Sequence, residues 1–281
     1  MSKCFGVIGG DRRQAELARF LRQDGHDVLT YDLHQWLDEK DTSLEETLKA
    51  EVVILPLPLC KEPGMLHCQS QKILTAELFR QLTSNQLVLA GQVHPKQKEE
   101  AAGLDLIDYF LREELTVANA AATAEAAIQV TMEHMDRILL GMNCLVLGFG
   151  RIGKLMSHRL KGLGANVTAT ARKPEDLAWI HAYGFSALES NALDGKLGDF
   201  DMVFNTIPSL VLNADLVEQL NPTCLCLDVA SVPGIDLKKA ESRGLPQIWA
   251  RALPGRMVPV TAARVIRDAI YYILKERGDA M

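Results

Sequence analysis

Three glycines at a fixed spacing, Gly148, Gly150 and Gly153, form the pattern in this chain that points most directly to chemistry. A run suited to a buried strand precedes them, and a segment with the apolar period of a helix follows. In such a unit the first glycine makes the tight turn, the second lets a pyrophosphate approach the backbone, and the third lets helix and strand pack closely. The helix N-terminus, where Arg151 and Ile152 lie, then offers free N–H groups to the phosphates. The pattern favours dinucleotide binding, and a purely steric glycine turn is the alternative.

The choice of cofactor is expected to depend on the end of the next predicted strand, 166–171, about 20 positions beyond the third glycine. That strand ends at Arg172 and Lys173, and neither Asp nor Glu stands where a ribose 2′-hydroxyl would be held. An acid there would repel a 2′-phosphate, whereas an arginine can bond it and stack on the adenine. Thr170, Arg172 and Lys173 therefore favour NADP, and NAD remains the alternative cofactor. The alternative is that Arg172 and Lys173 are only solvated cations at a strand end, which the sequence does not distinguish from a phosphate site.

Two later predicted strands, 201–205 and 224–228, end in turns with polar residues. Open α/β sheets bind ligands outside the carboxyl ends of their strands, so these residues are expected to face the nicotinamide ribose. We predict cofactor contacts from Asn205, Thr206, Ile207, Pro208 and Asp228. Ser231, in the second turn, is a candidate for orienting ribose or substrate. A proline turn is also a common strand terminator, which is the structural alternative for these residues.

The segment before residue 123 repeats the alternation of strands and helices, which predicts a second parallel, doubly wound α/β sheet. Its predicted strands are 4–8, 28–31, 52–55, 87–90 and 104–107. The glycine turn after the first of them, Gly9 and Gly10, lacks the spacing of a dinucleotide cradle and indicates a crevice loop for a small ligand. Arg12 and Arg13 could clamp a carboxylate there, or could simply be solvated charges at a helix start.

The predicted elements indicate two Rossmann-like domains. Residues 1–122 form the first, a flavodoxin-like or Rossmann-like substrate domain, and residues 123–258 form the dinucleotide-binding domain. A long helix over 123–142 should connect them, and a last helix over 261–275, within 259–281, should return to the first domain and make it discontinuous.

Composition excludes several functional classes. The chain has 281 residues, 48% of them hydrophobic, which is enough for a large core in two domains. A net charge of −6 without a long basic run argues against nucleic acid as the main partner. The apolar run 52–60 holds two prolines and is too short to span a membrane, so we expect a cytoplasmic protein. Six cysteines without a C-x-x-C pair are interpreted as reduced thiols, and no metal site is expected.

Seven motifs together resemble one protein family. They are Val7-Ile8-Gly9-Gly10-Asp11 with Arg13-Gln14, Val146-Leu147-Gly148-Phe149-Gly150-Arg151-Ile152-Gly153, Leu163-Gly164-Ala165-Asn166-Val167, Ala171-Arg172, Asn205-Thr206-Ile207-Pro208-Ser209, Leu227-Asp228-Val229-Ala230-Ser231 and Leu253-Pro254-Gly255-Arg256. In this order, over 6–274, they resemble the A subunit of bacterial dipicolinate synthase. The chain departs from the family pattern at Ile235, where a second glycine is expected, and at the alanine-rich stretch 122–126. The last motif, a Pro-Gly loop, also resembles alanine dehydrogenases, which usually carry an acid in place of Arg172.

The resemblance implies a pyridine-nucleotide-dependent dehydrogenase that acts on a dihydrodipicolinate made from 4-hydroxy-tetrahydrodipicolinate, an intermediate of the lysine pathway. It also implies that the partner is a flavoprotein-like B subunit, in the mother cell during sporulation. A homo-oligomer is a further option. Two other classes remain open: a non-catalytic NADP-binding partner or sensor, and a different NADP-dependent small-acid or imine oxidoreductase.

The implied substrate sets three tasks for the protein: holding two carboxylates, presenting one ring face to the nicotinamide, and accepting a proton. Arginine suits the first task through bidentate hydrogen bonds. Arg13 and Arg256 are the first candidates, with Arg12 and Arg251 as substitutes, and we expect the substrate to lie between the domains.

The proton acceptor has two candidates. His94 follows a first-domain strand and has a side chain that titrates near neutral pH. Asp11, in the first glycine turn, is the rival. A lone loop histidine is also an ordinary surface residue.

Overall fold

The computed structural model describes residues 2–278. The chain divides into two compact units. The first is Met1–Asn119 together with Val258–Met281, and the second is Ala120–Met257.

The first unit contains a five-stranded parallel sheet and a separate two-stranded antiparallel hairpin. Its strands are β1 Cys4–Ile8, β2 Asp27–Tyr31, β3 Val52–Ile54, β6 Leu87–Ala90 and β7 Asp105–Asp108, and the hairpin is β4 Cys60–Glu62 with β5 Met65–Leu66. The sheet order is β2-β1-β3-β6-β7, which is the flavodoxin-like order with its reversal between β1 and β3. The crevice for a ligand is therefore expected at the carboxyl ends of those two strands.

Helices cover both faces of this sheet. They are α1 Arg12–Gln23, α2 Leu44–Thr47, α3 Thr75–Phe79, α4 Pro95–Glu100, a short 3-10 helix Tyr109–Leu111, and the C-terminal α11 Pro259–Glu276. Strands β3 and β6 are buried along their whole length, as continuous apolar strands of a parallel sheet must be. Two hydrophobic clusters form, with Val7 and Ile54 in one and Ile8 and Val53 in the other, because successive side chains of a strand point to opposite faces.

The C-terminal helix returns to the first unit, as predicted, and packs on α1. Its apolar stripe of Ile266, Ile270 and Ile273 belongs to the same core cluster as Leu17 and Leu21 of α1. Pro259 occupies the first helical position. A backbone N–H at this position would have no partner within the helix, so proline is well tolerated there. The first unit is thus built from both ends of the chain.

The long connecting helix lies about ten residues earlier than predicted. Helix α5 is Glu113–Glu133, whereas the sequence indicated 123–142. Two acidic residues, Glu113 and Glu114, occupy its first turn and complement the helix dipole there. The segment after α5 is irregular, and Ile138 is 68% exposed in it, whereas its neighbour Leu139 is buried. The apolar residues that were predicted there as one helical face therefore do not form one.

The second unit is built on a six-stranded parallel sheet. Its strands are β8 Asn143–Leu147, β9 Asn166–Ala171, β10 Ser186–Glu189, β11 Met202–Asn205, β12 Leu225–Asp228 and β13 Gln247–Trp249. The order β10-β9-β8-β11-β12-β13 is the Rossmann order, with its reversal between β8 and β11. The helices between them are α6 Arg151–Gly162, α7 Pro174–Ala182, α8 Ala214–Glu218 and α9 Leu237–Ser242, and α10 Leu253–Met257 follows the last strand. No helix within 2–278 is long and apolar enough to cross a membrane.

Candidate functional site

The glycine turn between β8 and α6 has the geometry of a phosphate cradle. Gly148 has a φ of +94°, and a Cβ there would lie 2.7 Å from Thr206 Oγ1. A Cβ on Gly153 would overlap the carbonyl oxygen of Gly148, so helix and strand leave no room for a side chain. A Cβ on Gly150 would meet nothing within 4 Å. The protein itself requires two of the glycines, and the third borders the open space that a pyrophosphate would use.

Two threonines from neighbouring strands hold this turn. The N–H of Gly148 donates to Thr170 Oγ1 at 3.0 Å, and Thr206 Oγ1 donates to the carbonyl of Leu147 at 2.8 Å. Thr170 is fully buried at the end of β9, so it acts on the shape of the turn. The sequence predicted a cofactor contact for both threonines, and the structure places them beneath and beside the turn.

The first turn of α6 begins directly after this glycine turn. Gly150 is the N-cap, no acidic residue lies in the first turn, and the helix continues for twelve residues. Arg151 is exposed and Ile152 is half-buried. The N-terminal N–H groups and the positive end of the helix dipole can therefore act on a phosphate.

The end of β9 carries two exposed cations. Arg172 forms no hydrogen bond or ion pair with any residue in the part of the chain that the structure describes. Lys173 lies 3.8 Å from Glu175, and both side chains are mostly solvated, so this pair is weak. An available guanidinium where the adenosine ribose is expected suits a 2′-phosphate.

Asn205 and Asp228 are fully buried at the ends of β11 and β12. Asn205 Nδ2 donates to Asp228 Oδ2 at 2.9 Å and to the carbonyl of Ile207 at 2.9 Å. Burial raises the pKa of Asp228, although hydrogen bonds from Asn205 and from three backbone N–H groups act in the opposite direction. Both residues were predicted to contact the cofactor, and in the structure they bond each other and the adjoining loops.

The loops beyond these two strands expose uncharged residues. Pro208 and Ser231 are exposed, with Ile207 half-buried behind them. Leu210 and Val232 expose 61% and 55% of their surface. Residues 206–211 and 229–235 include no titratable side chain. This edge can offer hydroxyl, backbone and apolar contacts, and it supplies neither an acid nor a base.

Arg251 and Arg256 lie beyond β13, and both are exposed. The Arg251 guanidinium stacks on the ring of Trp249, with 4.1 Å from Cζ to the ring centroid. Trp249 Nε1 in turn donates to the carbonyl of Ala230 at 2.9 Å, next to Ser231. The segment with Arg256 was predicted to be a loop and is instead the short helix α10. It follows the left-handed turn at Ala252, whose carbonyl accepts from the N–H of Arg256.

In the first unit, Arg13 and Asp11 form a close ion pair at the start of α1. Arg13 Nε and Nη2 donate to the two carboxylate oxygens at 2.9 and 2.8 Å, and Nη2 also donates to the carbonyl of Leu57. Burial alone would raise the pKa of Asp11, but the hydrogen bonds and charge of Arg13 outweigh it and hold that pKa below its usual value. Arg13 is only 6% exposed, whereas Arg12 is exposed and lies 3.4 Å from Glu16. The geometry makes Asp11 an ion-pair partner and a weak proton acceptor.

His94 lies on an ordered turn after β6. The N–H groups of Gln92 and Val93 donate to the Asp108 carboxylate at 3.0 and 2.8 Å. His94 is exposed and is the N-cap residue of α4, directly before Pro95. The structure therefore holds its backbone in place and leaves its ring accessible, without a bond to another predicted site residue.

Sequence reasoning missed the segment that covers the first glycine turn. The carbonyl of His67 accepts from the N–H of Gly10 at 2.6 Å, and Gln69 Nε2 donates to the carbonyl of Gly10 at 2.6 Å. Burial lowers the pKa of His67 to about 4, so its imidazole is neutral at neutral pH. This segment follows the β4–β5 hairpin, which has no strong sequence signal because its strands have three and two residues. With the N–H of Gly10 already bonded, this turn does not form a phosphate cradle.

Comparison with known proteins gives two family matches. Residues 4–110 match the family of N-terminal domains from the A subunit of dipicolinate synthase. Residues 113–230 match "D-isomer specific 2-hydroxyacid dehydrogenase, NAD binding domain". The dipicolinate synthase A subunit of Bacillus subtilis (strain 168) is 29% identical, over 96% of this chain and 95% of that protein. The solved structure of the dipicolinate synthase A subunit from Bacillus halodurans is 28% identical, with a TM-score of 0.86 and 97% of each chain covered.

The chain is similar to dipicolinate synthase A subunits over nearly its whole length. An L-alanine dehydrogenase structure, 17% identical, shares the fold with a TM-score of 0.67 over 99% of this chain and 90% of that one. The family matches support an oxidoreductase with a nicotinamide-dinucleotide-binding Rossmann domain. Within 2–278, no group of three His, Cys, Asp or Glu side chains is placed to hold a metal ion.

Proposed function

We propose that this chain is an NADP-preferring dehydrogenase that converts a dihydrodipicolinate, formed from 4-hydroxy-tetrahydrodipicolinate, to dipicolinate. The observation that carries the proposal is the glycine turn, in which only Gly150 borders open space. The similarity to these relatives supplies the substrate class, since they are named for dipicolinate synthesis. Arg172, which has no partner within the described residues, favours the 2′-phosphorylated cofactor.

The proposed reaction is balanced without a further reactant. Dihydrodipicolinate loses a hydride and a proton and becomes the aromatic pyridine, and NADP, when bound, accepts the hydride as NADPH forms. Aromatisation supplies driving force. The tasks left to the protein are to bind the two carboxylates, to orient the ring, to exclude water and to receive the proton.

The exposed arginines are the stronger candidates for the carboxylates. Arg12, Arg251 and Arg256 are exposed, and a guanidinium can form two parallel hydrogen bonds to one carboxylate. Arg13 would first have to leave Asp11, so we propose that it shapes the loop and that Arg12 is the first-unit ligand. The stacking of Arg251 on Trp249 fixes the plane of its guanidinium.

We propose His94 as the proton acceptor. The second unit offers no titratable group in the loops after β11 and β12, so the proton must go elsewhere. Asp11 is held ionised by Arg13 and binds protons weakly. His94 is exposed after a turn whose backbone is bonded to Asp108, and histidine is the side chain that most often serves as a general base.

We further propose that the chain works with a second, flavoprotein-like subunit. The support is that the relatives are named as one lettered component of dipicolinate synthase, which implies at least one other component. A cytoplasmic site of action and a role in sporulation follow from the same proposal.

The test is a product assay with freshly made 4-hydroxy-tetrahydrodipicolinate. Purified chain, with and without a B-type partner, is mixed with NADP or NAD, and the absorbance of pyridine dicarboxylate is recorded. The proposal predicts product and NADPH in equal amounts, with NADP preferred, and no product from Gly150→Val. Cofactor binding without turnover in the presence of the partner would instead indicate a non-catalytic NADP-binding protein.

A further inference from the structure

A buried Asn–Asp pair joins the ends of β11 and β12. Asp228 Oδ2 accepts from Asn205 Nδ2 at 2.9 Å and from the N–H of Gly234 at 2.7 Å, and Asp228 Oδ1 accepts from the N–H of Ala230 at 2.9 Å. The N–H of Ile235 adds a longer bond to Oδ2 at 3.3 Å. Four donors therefore converge on one carboxylate that has no exposure to solvent.

The partner side chain secures the other loop. Asn205 Oδ1 accepts from the N–H of Ile207 at 3.1 Å, while Asn205 Nδ2 donates to the carbonyl of the same residue. A Cβ on Gly234 would overlap Asn205 Nδ2, so the second loop passes directly over this amide. The carbonyl of Gly234 also accepts from the N–H groups of Val211 and Leu212. The two loops are thus bonded to each other and to one buried pair.

Neither side chain can reach a ligand, because both are fully buried. What a ligand meets is the exposed rim of the two loops: Ser209, Leu210, Ser231 and Val232. In a sheet wound in this order, the pyrophosphate lies at the β8 turn and the adenosine half lies toward β9. The nicotinamide half is therefore the part of the dinucleotide that the β11 and β12 loops face.

We infer that Asn205 and Asp228 are positioning residues for the nicotinamide half of the cofactor, acting through the two loops they join. The inference rests on the proposed cofactor function. Neither side chain is proposed to contact the cofactor. Neither is proposed to affect the binding of its adenosine half. An unpaired buried donor or acceptor is costly, so the loss of one partner should displace the loops.

The experiment compares two ligands on the whole chain. NADP carries both halves, and 2′-phospho-ADP-ribose carries only the half without nicotinamide. Asp228→Asn places an NH2 group where a carboxylate oxygen accepts backbone N–H groups, and it should weaken NADP on the order of 10-fold, consistent with the loss of charged hydrogen bonds. The affinity for 2′-phospho-ADP-ribose should change less than about 2-fold.

Asp236→Asn is the matched control. Asp236 caps α9 by accepting from the N–H of Lys239 at 3.0 Å, and an asparagine performs the same capping role. This control makes the same chemical change eight positions away and should leave both affinities unchanged. Asn205→Ala is a second test variant, and it keeps the backbone hydrogen bonds to Asp228. It should also weaken the binding of NADP and not of 2′-phospho-ADP-ribose, but by a smaller factor than Asp228→Asn.

The two ligands separate the outcomes. Weakened NADP binding with unchanged 2′-phospho-ADP-ribose binding supports the inference, for either variant. Equal weakening of both ligands, or no change in either, overturns it, and if Asp228→Asn does not fold, Asn205→Ala decides. If the unaltered chain binds neither ligand, the proposed cofactor function itself fails, which is a distinct result.

Discussion

At the scale of single residues, the three glycines of the cofactor turn differ in what they do. Gly148 and Gly153 are required because the protein's own atoms occupy the space of a side chain. Gly150 has an ordinary negative φ of −77° and open space around its Cβ position, so the fold alone does not require glycine there. A folding role and a binding role can therefore be separated by mutation.

Gly150→Val should leave the fold intact and abolish tight cofactor binding. The free energy of unfolding should change by about 1 kcal/mol or less, because valine is a poorer N-cap residue than glycine, while the cofactor Kd rises at least on the order of 10-fold. Gly153→Ala should instead destabilise the second unit by about 1–3 kcal/mol through overpacking. Urea denaturation and cofactor titration of both variants measure the two effects. Unchanged affinity in a folded Gly150→Val protein would show that the turn is only structural.

Arg172→Asp should change the preference between the two cofactors. Removal of a guanidinium from a 2′-phosphate costs roughly 1.5–3 kcal/mol, and the new acid can accept from a free ribose hydroxyl. Lys173→Gln is the control, because Lys173 already lies near Glu175 and should matter less. Calorimetric titration with NADP and NAD provides the comparison. Equal affinity of the unaltered chain for both cofactors would contradict this role for Arg172.

The steric roles of Gly148 and Gly153 could be predicted from sequence, because the spacing of the motif requires a tight turn and close packing of helix and strand. The roles of Asn205, Asp228 and Thr170 could not, since a polar residue at a strand end can face a ligand or hold a loop. Only their burial distinguishes the two cases. The ion pair of Arg13 with Asp11 was missed for a related reason: two residues apart, they meet only because Asp11 adopts the extended N-cap conformation.

At the scale of elements, the strands and the C-terminal helix were easier to predict than the connecting helix. Buried parallel strands are continuous apolar runs, and α11 has a clear apolar stripe. Helix α5 is rich in alanine, so its apolar periodicity is weak and its limits could not be read from it. The β4–β5 hairpin was missed because it is short, although the segment after it controls the first glycine turn.

The return of α11 to the first unit should be visible in unfolding experiments. Ile270 is fully buried against the first-unit core, and Ile270→Ala should cost about 2–5 kcal/mol of unfolding free energy. Tyr272 lies two positions away on the same helix with 52% exposure, and Tyr272→Ala should cost about 0.5 kcal/mol or less. Denaturation followed by fluorescence reports on the first unit when Trp179 and Trp249 are replaced by phenylalanine in every variant, so that Trp36 is the remaining tryptophan. Equal effects of the two substitutions would argue against the packing.

At the scale of the whole molecule, the chain contains two parallel sheets with different strand orders. The Rossmann order of the second unit and the flavodoxin-like order of the first each place a crevice at the carboxyl ends of particular strands. The fold class followed from the sequence, because the alternation of strands and helices leaves few topologies. The contact of His67 with the first glycine turn could not be predicted from the sequence, because it joins residues that are far apart in the chain.

Folding stability should fall as the pH falls from 6.5 toward 4. His67 has an ordinary pKa of 6.5 when unfolded, lowered to about 4 by burial in the folded protein, so the unfolded chain binds more protons in this range. The slope from this residue is at most about 1.4 kcal/mol per pH unit, with stability lost on acidification.

His67→Gln should make the pH dependence shallower, because glutamine does not titrate. His94→Gln is the control, since His94 is exposed, and it should leave the slope close to that of the unaltered chain. Urea denaturation at pH 7, 6 and 5 measures both variants. An unchanged slope in His67→Gln would show that His67 is not held neutral by burial.

The most direct measurement of the central claim is the transfer of deuterium from substrate to cofactor. Substrate deuterated at its ring carbons is incubated with the chain, NADP and a B-type partner, and the reduced cofactor is analysed by mass spectrometry. We expect dipicolinate together with NADPH that carries one deuterium, and neither product from Gly150→Val. Dipicolinate formed without deuterium in the nicotinamide, or in equal yield without NADP, would contradict it.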